Sequence, residues 1–585
     1  MKITFKHELK PSENLSHSQL IKLLLKIRQI KDKKEFLNPA SPLKISLNDF
    51  GFKKEIKKTL EVLKNIWKQK KMVIVYTDYD ADGITGGAIL WETLYLLGFN
   101  VMPYVPHRKF EGYGFSIKGI DAVKKLYNPS LIISVDHGIT AKEKVTYAKK
   151  LGIPIIITDH HLKPDKLPTD ALAIFHIPAL SGSGVAYFFA KEIFMSLRGA
   201  PIKSGRRSNL NNKIASLQNG QISDLSLHKL ENNFSSDYLS FASIGSIADL
   251  VPLVGPTRSV VKYGLAAFSK LKRVGLKHII KQAGIEGRKI TPYEIGFIIA
   301  PRINAVGRLE HAIDALRLLC TTSEEKASSL AGRIGDKNRE RQDLVKTAVE
   351  EAKQMVEQFL THKPAKLAKL IILINSKWHE GIIGLIASRI TELYNRPTIV
   401  LTQNDGFLKG SARSISSFHI TDFLRSLKKY LIDVGGHKGA AGFTMEKDKF
   451  DSFVKAAESK AEKLISDKDL EKVIETDLKI PLSFLTMKLV KSLESLEPFG
   501  IGNPKPTFLS DVKLVDAKLF GKNNDHMKII VKDQSSSSTL ELVSFYSSDQ
   551  FTKFSQGQKI KIVYTLEIDR WGGSEKLRGK IIAIS

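Results

Sequence analysis

At 585 residues the chain has room for roughly three to four domains of ~150 residues, and 42% hydrophobic content with a mean hydropathy of −0.12 excludes a disordered or fibrous class. No apolar run approaches the ~20 residues of a membrane helix; the start MKITFKHELK has no apolar leader segment. The one cysteine, Cys320, excludes an intramolecular disulfide framework and suits a reducing cytosol. A net charge of +29 with pI about 9.7 favours a polyanionic partner such as nucleic acid, although a Lys-rich proteome gives the same balance.

Residues 1–70 read as a helical N-terminal extension with a polar turn, NPASPLK, and a basic helix over 53–71. Residues 72–76 predict a buried strand that runs into three carboxylates, Asp78, Asp80 and Asp82, then Gly83; residues 84–97 predict a helix stopped by Gly98. A second strand, 131–135, ends at Asp136-His137-Gly138, and a third, 154–157, ends at Thr158-Asp159-His160-His161. Strands alternating with helices predict a parallel sheet, whose ligand crevice lies beyond the strand C-termini. Clustered aspartates repel, and an oxygen-rich set suits a hard divalent ion, Mg²⁺ or Mn²⁺. The competing explanation is an acidic turn that caps the next helix. The three aspartates alone leave the two readings even; delivery of acidic and imidazole groups by three strands at one edge favours the metal.

Residues 200–236, rich in Ser, Asn, Gly and Lys, read as an exposed insertion. The small-residue helix 241–250 carries Asp249 near its end, as a cap or a buried ligand, and IIAPRINAVGR (298–308) places Arg302, Asn304 and Arg308 around Pro301 and Gly307. Two arginines on such backbone suit phosphate oxygens and equally suit surface ion pairs. Residues 337–359 form a charged connector helix. Strand patterns resume at 367–374 and 397–401 around a helix at 385–394, with polar glycine loops at 410–416 (GSARSIS) and 435–442 (GGHKGAAG). This second lobe offers Gly, Ser, Arg and His for anions and bases. From about residue 465, short alternating runs predict a five-stranded, OB-like barrel.

Ten strings stand in family order: DYDADG (78–83), HRKFEGYG (107–114), SVDHGIT (134–140), TDHH (158–161), SIADLVPL (246–253), PRINAVGR (301–308), WHEGIIG (378–384), LKGSARS (408–414), GGHKGAAG (435–442) and PFGIGNPKP (498–506). Together they resemble the DHH phosphoesterases, and within them the single-strand-specific exonuclease branch. The resemblance implies two α/β lobes with parallel-rich sheets, DHH (71–325, with the insertion) and DHHA1 (363–464). A connector helix (326–362) joins them, the helical extension (1–70) packs on the DHH lobe, and an OB-like domain (465–585) completes the chain. It implies a metal-dependent 5′→3′ exonuclease that hydrolyses single-stranded DNA to mononucleotides in recombination and repair. A monomeric cytoplasmic enzyme is expected, with single-strand-binding protein and a repair helicase nearby.

Carried over by position, Asp80, Asp82, Asp136, His160 and Asp249 would hold two divalent ions, Mn²⁺ or Mg²⁺, about 3.5–4 Å apart. Asp136 is the preferred bridging carboxylate, with Asp82 second. His160 would bind as neutral imidazole, which tilts the preference toward Mn²⁺. Asp78 and His161 would line the site, His161 facing a non-bridging phosphate oxygen. Arg108, Arg302, Arg308, Ser411 and Arg413 would grip phosphates, and Asn304, His379 and His437 complete the substrate-binding candidates. Phe499, Phe508, Phe520 and Phe545 are stacking candidates, each also a natural core residue. The chain departs from the family at His137, where Asn or Cys is usual, and at 175–186, where a longer loop beginning Asn-Pro is usual. A DHH oligoribonuclease or nucleotide phosphatase would be shorter and lack the barrel, and a silent single-strand-binding scaffold would have lost metal ligands.

Overall fold

The computed structural model describes residues 2–585 except 11, 12, 14, 113, 199–222, 363–366, 405, 535, 549, 550, 552, 553, 571 and 572. They form two compact units, one of residues 4–332 with 475–585 and one of residues 333–474 with the first three.

In the larger unit five strands lie in the order Asn100–Tyr104, Met72–Thr77, Leu131–Val135, Ile155–Asp159, Ala173–His176, every neighbouring pair parallel. The runs MVIVYT, LIISV and IIITD are almost wholly apolar because both faces of the sheet are covered. Tyr76, Ile120, Ile132, Val145 and Ile157 share one face with the helices Ile117–Tyr127 and Lys142–Lys150. The helix Ala81–Leu96, buried around most of its circumference, packs with the helices Gly182–Leu197 and Asp237–Ala248. Register then aligns the strand ends. Thr77 lies beside Val135 and Val135 beside Thr158, so the strands end level and the residues after them emerge at one edge.

The C-terminal strands Thr507–Phe520, His526–Asp533, Thr539–Ser544, Lys576–Ile584 and Lys559–Asp569 pair in that order, and Lys559–Thr565 pairs back with Thr507–Lys513 to close a barrel. Alternation sends Met527, Ile529, Val531, Leu540, Leu542, Ile560 and Ile562 inward. Phe508 is fully buried there and Phe499 packs on the same core, so these two phenylalanines are structural rather than stacking surfaces.

The N-terminal residues differ from a wholly helical extension on the first lobe. Lys2–Glu8 is a strand at the edge of the barrel sheet, beside Val473–Lys479, and Leu9, Leu20, Leu24, Leu25 and Phe36 enter the barrel core. From Phe36 onward the extension does pack on the first lobe: Lys191 Nζ donates to Pro42 O at 2.8 Å, the Phe50 ring meets Phe188, and in the helix Lys53–Lys68 Trp67 Nε1–H donates to Leu97 O at 2.9 Å. Of the expected insertion at 200–236, residues 199–222 lie outside the described residues. Asp224–Ser235 is a helix whose Leu230 and Phe234 are buried, Phe234 against Tyr187, Phe194 and Tyr238. Two apolar anchors four residues apart suffice to dock it.

The smaller unit has the sheet order Asp433–His437, Ala440–Glu446, Phe407–Arg413, Thr398–Asn404, Ile371–Ile374, and only the last pair is parallel. Its sheet is therefore mainly antiparallel. Ile399 and Leu401 face a core with the helix Phe450–Leu464, while Val400 faces the helix Ile383–Tyr394 and the long helix Glu324–His362. The glycine stretches expected as loops are strand residues: Ser411 pairs with Gly442 and Arg413 with Ala440. Gly410 is there to let a ring lie on the backbone, since a Cβ would fall 2.2 Å from Phe443 Cζ. Gly410→Ala is expected to lower stability by about 1–3 kcal/mol, the cost of overpacking. Denaturant unfolding of the variant checks this, and adding Phe443→Leu should recover part of the loss.

One charge is buried behind the first-lobe sheet. Glu92 is 4% exposed and accepts from Arg273 Nη2 (2.6 Å), Lys229 Nζ (3.1 Å) and Tyr238 OH (3.1 Å). Burial alone would raise its carboxyl; Arg273 and then Lys229 outweigh that and hold it below the ordinary 4.5. Its stabilising contribution is thus complete above that value and is lost as pH falls through the lowered folded value. Glu92→Gln is expected to cost about 3–5 kcal/mol at neutral pH by removing the closer of the two carboxylates beside buried Arg273, the other being Asp237 at 3.6 Å. The gap between wild type and variant in urea unfolding should shrink once pH drops below 4.5.

Candidate metal centre

Asp80 is the N-cap of the helix Ala81–Leu96, its Oδ1 accepting from the N–H groups of Asp82 (2.9 Å) and Gly83 (3.0 Å). The capping explanation holds, but it uses one oxygen of one carboxylate. Asp82 accepts from Gly182 N–H at 2.6 Å and Ser183 N–H at 2.9 Å, so the start of a second helix clamps it. Asp136 follows its strand with φ 68°, and a Cβ on Gly182 would lie 2.4 Å from Asp136 Cβ and Oδ1; glycine makes that approach possible. Asp249 is the C-cap of Asp237–Ala248 rather than a residue within the helix.

These elements converge. His160 Nε2 lies 3.1 Å from Asp136 Oδ1, 3.4 Å from Asp249 Oδ2 and 3.8 Å from Asp82 Oδ2. Three sets of donor atoms each fall within 4.8 Å: Asp82 with His160 and Asp249, Asp78 with Asp80 and Asp136, and Asp136 with His160 and His161. Asp136 belongs to two of these sets, once with Asp78 and Asp80 and once with His160 and His161. Asp78 Oδ1 and His160 Nε2 are buried without a hydrogen-bond partner.

Burial first, then neighbouring carboxylates, raise Asp78, Asp80 and Asp136, and push Asp249 up to about 8. Two like charges 4 Å apart repel by about 4 kcal/mol at an effective dielectric of 20. The cluster therefore either takes up protons or takes up cations. An oxygen-rich donor set with one imidazole and two unmet donor atoms fits divalent Mg²⁺ or Mn²⁺.

Asp159 was not among the expected site residues, although it stands in the TDHH string. Its Oδ1 accepts from the N–H groups of His160 (2.7 Å) and His161 (3.1 Å) and lies 2.7 Å from His161 Nδ1; Ile139 N–H donates to Oδ2 at 2.8 Å. Burial opposes protonation of His161, but the hydrogen bond and charge of Asp159 raise it to about 9, and Asp159 itself sits below the carboxylate range. Asp159 thus favours the protonated form of His161. His137, by contrast, is a core residue: it donates Nε2–H to Tyr76 O at 3.1 Å, meets Tyr76 and Phe115 edge-on, and is lowered by burial to about 4.

The expected phosphate-binding residues fall in both units. In the larger one, the Arg108 guanidinium lies 5.2 Å over the Tyr79 ring, and its charge reaches Asp78. Arg302, Asn304 and Arg308 stand on the helix Ala300–Leu309. Arg302 donates to Gln282 Oε1 (3.1 Å) and Ile298 O (2.8 Å). Asn304 Oδ1 accepts from Ala81 N–H at 2.7 Å, so it buttresses the carboxylate-bearing helix. In the smaller unit, Arg413 donates to Ser411 Oγ at 3.1 Å, and the Arg413 charge, after burial, lowers His437. His379 Nδ1 accepts from Gly381 N–H at 3.0 Å.

The sequence matches the DHH family N-terminal domain over 72–217, the DHHA1 domain over 367–463 and the RecJ OB domain over 476–583. It is 32% identical over 535 residues to the single-stranded-DNA-specific exonuclease RecJ of Bacillus subtilis, covering 89% of this chain and 62% of that one; the chain thus spans under two thirds of that relative's length. The structure resembles RecJ of Thermus thermophilus in complex with Mn²⁺, with a TM-score of 0.78, 26% identity and coverage of 100% of this chain and 79% of that one. It also resembles a manganese-bound exonuclease RecJ, with a TM-score of 0.56, 32% identity and coverage of 71% and 98%. With three domains in register and a relative of that identity covered almost end to end, the chain belongs to the RecJ family of DHH phosphoesterases.

Proposed function

We propose that the chain is a metal-dependent exonuclease that degrades single-stranded DNA from the 5′ end to mononucleotides. The observation that carries this reading is the convergence of Asp78, Asp80, Asp82, Asp136, His160 and Asp249 at one sheet edge, with buried donor atoms left unmet. Asp82, His160 and Asp249 would hold one divalent ion and Asp78 and Asp80 a second, with Asp136 within reach of both. Asp78 is thereby promoted from lining the site to ligating. When bound, two such ions supply an activated water, neutralise the phosphate and stabilise the leaving oxygen.

The protein's own groups do the rest. Asp159 keeps His161 protonated and aimed, so a non-bridging phosphate oxygen meets a preorganised donor as charge develops. Arg108, Arg302 and Arg308 in one unit, and Ser411 and Arg413 in the other, serve the DNA phosphates. On the barrel, Phe520, His526, Phe545 and the 81% exposed Tyr546 form an aromatic cluster with Lys580 Nζ 5.5 Å over the Phe545 ring, a surface suited to stacking bases beside a phosphate chain. No described helix is long and apolar enough to cross a membrane. A cytoplasmic repair setting, with single-strand-binding protein and a helicase as partners, fits this substrate.

Digestion of a single strand labelled separately at each end tests the reading. With Mn²⁺ the 5′ label is expected in mononucleotides; EDTA and Asp136→Ala should abolish release, and duplex should resist. Tight binding without cleavage under any divalent metal would overturn it, and cleavage confined to very short oligonucleotides would favour an oligoribonuclease. Arg413→Ala should raise KM rather than lower kcat, by roughly tenfold or more, since a hydrogen bond to a charged group contributes about 1.5–3 kcal/mol. Steady-state kinetics on a 5′-phosphorylated oligonucleotide separates the two effects.

A further inference from the structure

Asp249 differs from the other carboxylates in how it is held. Its side chain is 33% exposed, against 1% for Asp82 and 3% for Asp136. Its backbone is held on one side by its helix, Asp249 N–H donating to Gly245 O at 2.9 Å, and on the other by residues 250–254, which lead into the helix Gly255–Ala267. Leu250 N–H donates to Ile247 O (3.3 Å) and Val251 N–H to Ser246 O (3.2 Å), and Leu250 takes a left-handed conformation with φ 59°.

The next residue bound is not tied to its own lobe. Leu253 N–H donates to Ile501 O at 2.7 Å, in the PFGIGNPKP string of the barrel domain. The fit is close: a Cβ on Gly500 would lie 2.7 Å from Leu253 Cδ1, and one on Gly502 would lie 2.9 Å from Pro252 Cβ. That loop is closed on itself, with Gly500 and Asn503 exchanging backbone hydrogen bonds and Asn503 Nδ2 donating to Leu496 O (2.8 Å) and Pro498 O (2.9 Å).

On the far side of the connection, Arg258 is 1% exposed. Its guanidinium donates to Leu496 O (3.0 Å), Glu497 O (2.7 Å), Pro498 O (3.3 Å) and Phe36 O (2.6 Å), and lies 3.8 Å over the Phe36 ring. A buried guanidinium met by carbonyls is tolerable only while every donor is satisfied, and its planar fork admits one docking geometry. The connection after Asp249 is thus gripped on both sides by residues 496–503.

We propose that the loop 496–503 is a positioning element for Asp249, so that the barrel domain sets the metal affinity of the site formed by Asp82, His160 and Asp249. This rests on the reading of Asp249 as a metal ligand. The loop touches no reacting group; it acts through Leu253 and Arg258.

The test is Mn²⁺ titration of the full chain by calorimetry and by electron paramagnetic resonance of free Mn²⁺, alongside KM for a single-stranded oligonucleotide. Gly500→Ala is expected to weaken one class of Mn²⁺ site about 10-fold, the usual scale for outer-sphere supports, with KM for DNA unchanged. Adding Leu253→Ala makes room for the new methyl and should restore most of the affinity. If Gly500→Ala does not fold, Arg258→Lys, which keeps the charge and loses the fork, carries the same expectation. Should the folded variant bind Mn²⁺ as tightly as the parent, or change KM alone, while Asp249→Asn weakens Mn²⁺ binding, the positioning role is overturned. Should Asp249→Asn itself leave Mn²⁺ binding intact, the ligand reading falls instead.

Discussion

The constraint on which the rest of the structure depends is electrostatic. Asp78, Asp80, Asp82, Asp136 and Asp249 share a largely buried space with the imidazoles of His160 and His161, and burial raises the cost of the charges among them. A fold that builds such a cluster must hold it open against repulsion in the metal-free state. The protein does this with backbone: helix-start amides clamp Asp80 and Asp82, the Asn304 carbonyl tethers the first amide of the same helix, and level strand ends fix Asp136. Each support is a neutral dipole, which leaves the charge of the cluster available to cations.

A second carboxylate system works with the opposite sign. Glu92 lies on the same helix as Asp80 and Asp82, but there the opposing cations are built into the chain, as Arg273 and Lys229. One end of the helix is neutralised internally; the other, on the proposed reading, takes its cations from solution. The covalent connection between the two means that the anchored end restrains the end that carries Asp80 and Asp82.

The same physics decides how much was legible in the sequence. Buried parallel strands are continuous apolar runs, so their ends, and with them Asp78, Asp136, His160 and His161, can be read directly. The role of Asp159 could not, since its value lies in facing two backbone amides and an imidazole in three dimensions. The second lobe misleads for a different reason. Glycine in GSAR and GGH suggests loops, but Gly410 serves close ring packing within a strand, a use that composition alone does not distinguish. Phe508 was a natural stacking candidate by type, and only closure of the barrel places it inside.

The strand Lys2–Glu8 lies on the sheet that the barrel extends, and Thr4 O accepts from Thr476 Oγ1 across a separation of 472 residues. Leu20, Leu24 and Leu25 on the next helix join an apolar cluster with the helix Met487–Leu493 and the barrel strands. During synthesis, which runs from the N-terminus, this amphipathic segment leaves the ribosome long before its partner strands exist. It must wait in solution, or under a chaperone, while both lobes are made. The order of translation therefore leaves the apolar face of this segment without its C-terminal partners until the last domain has been made.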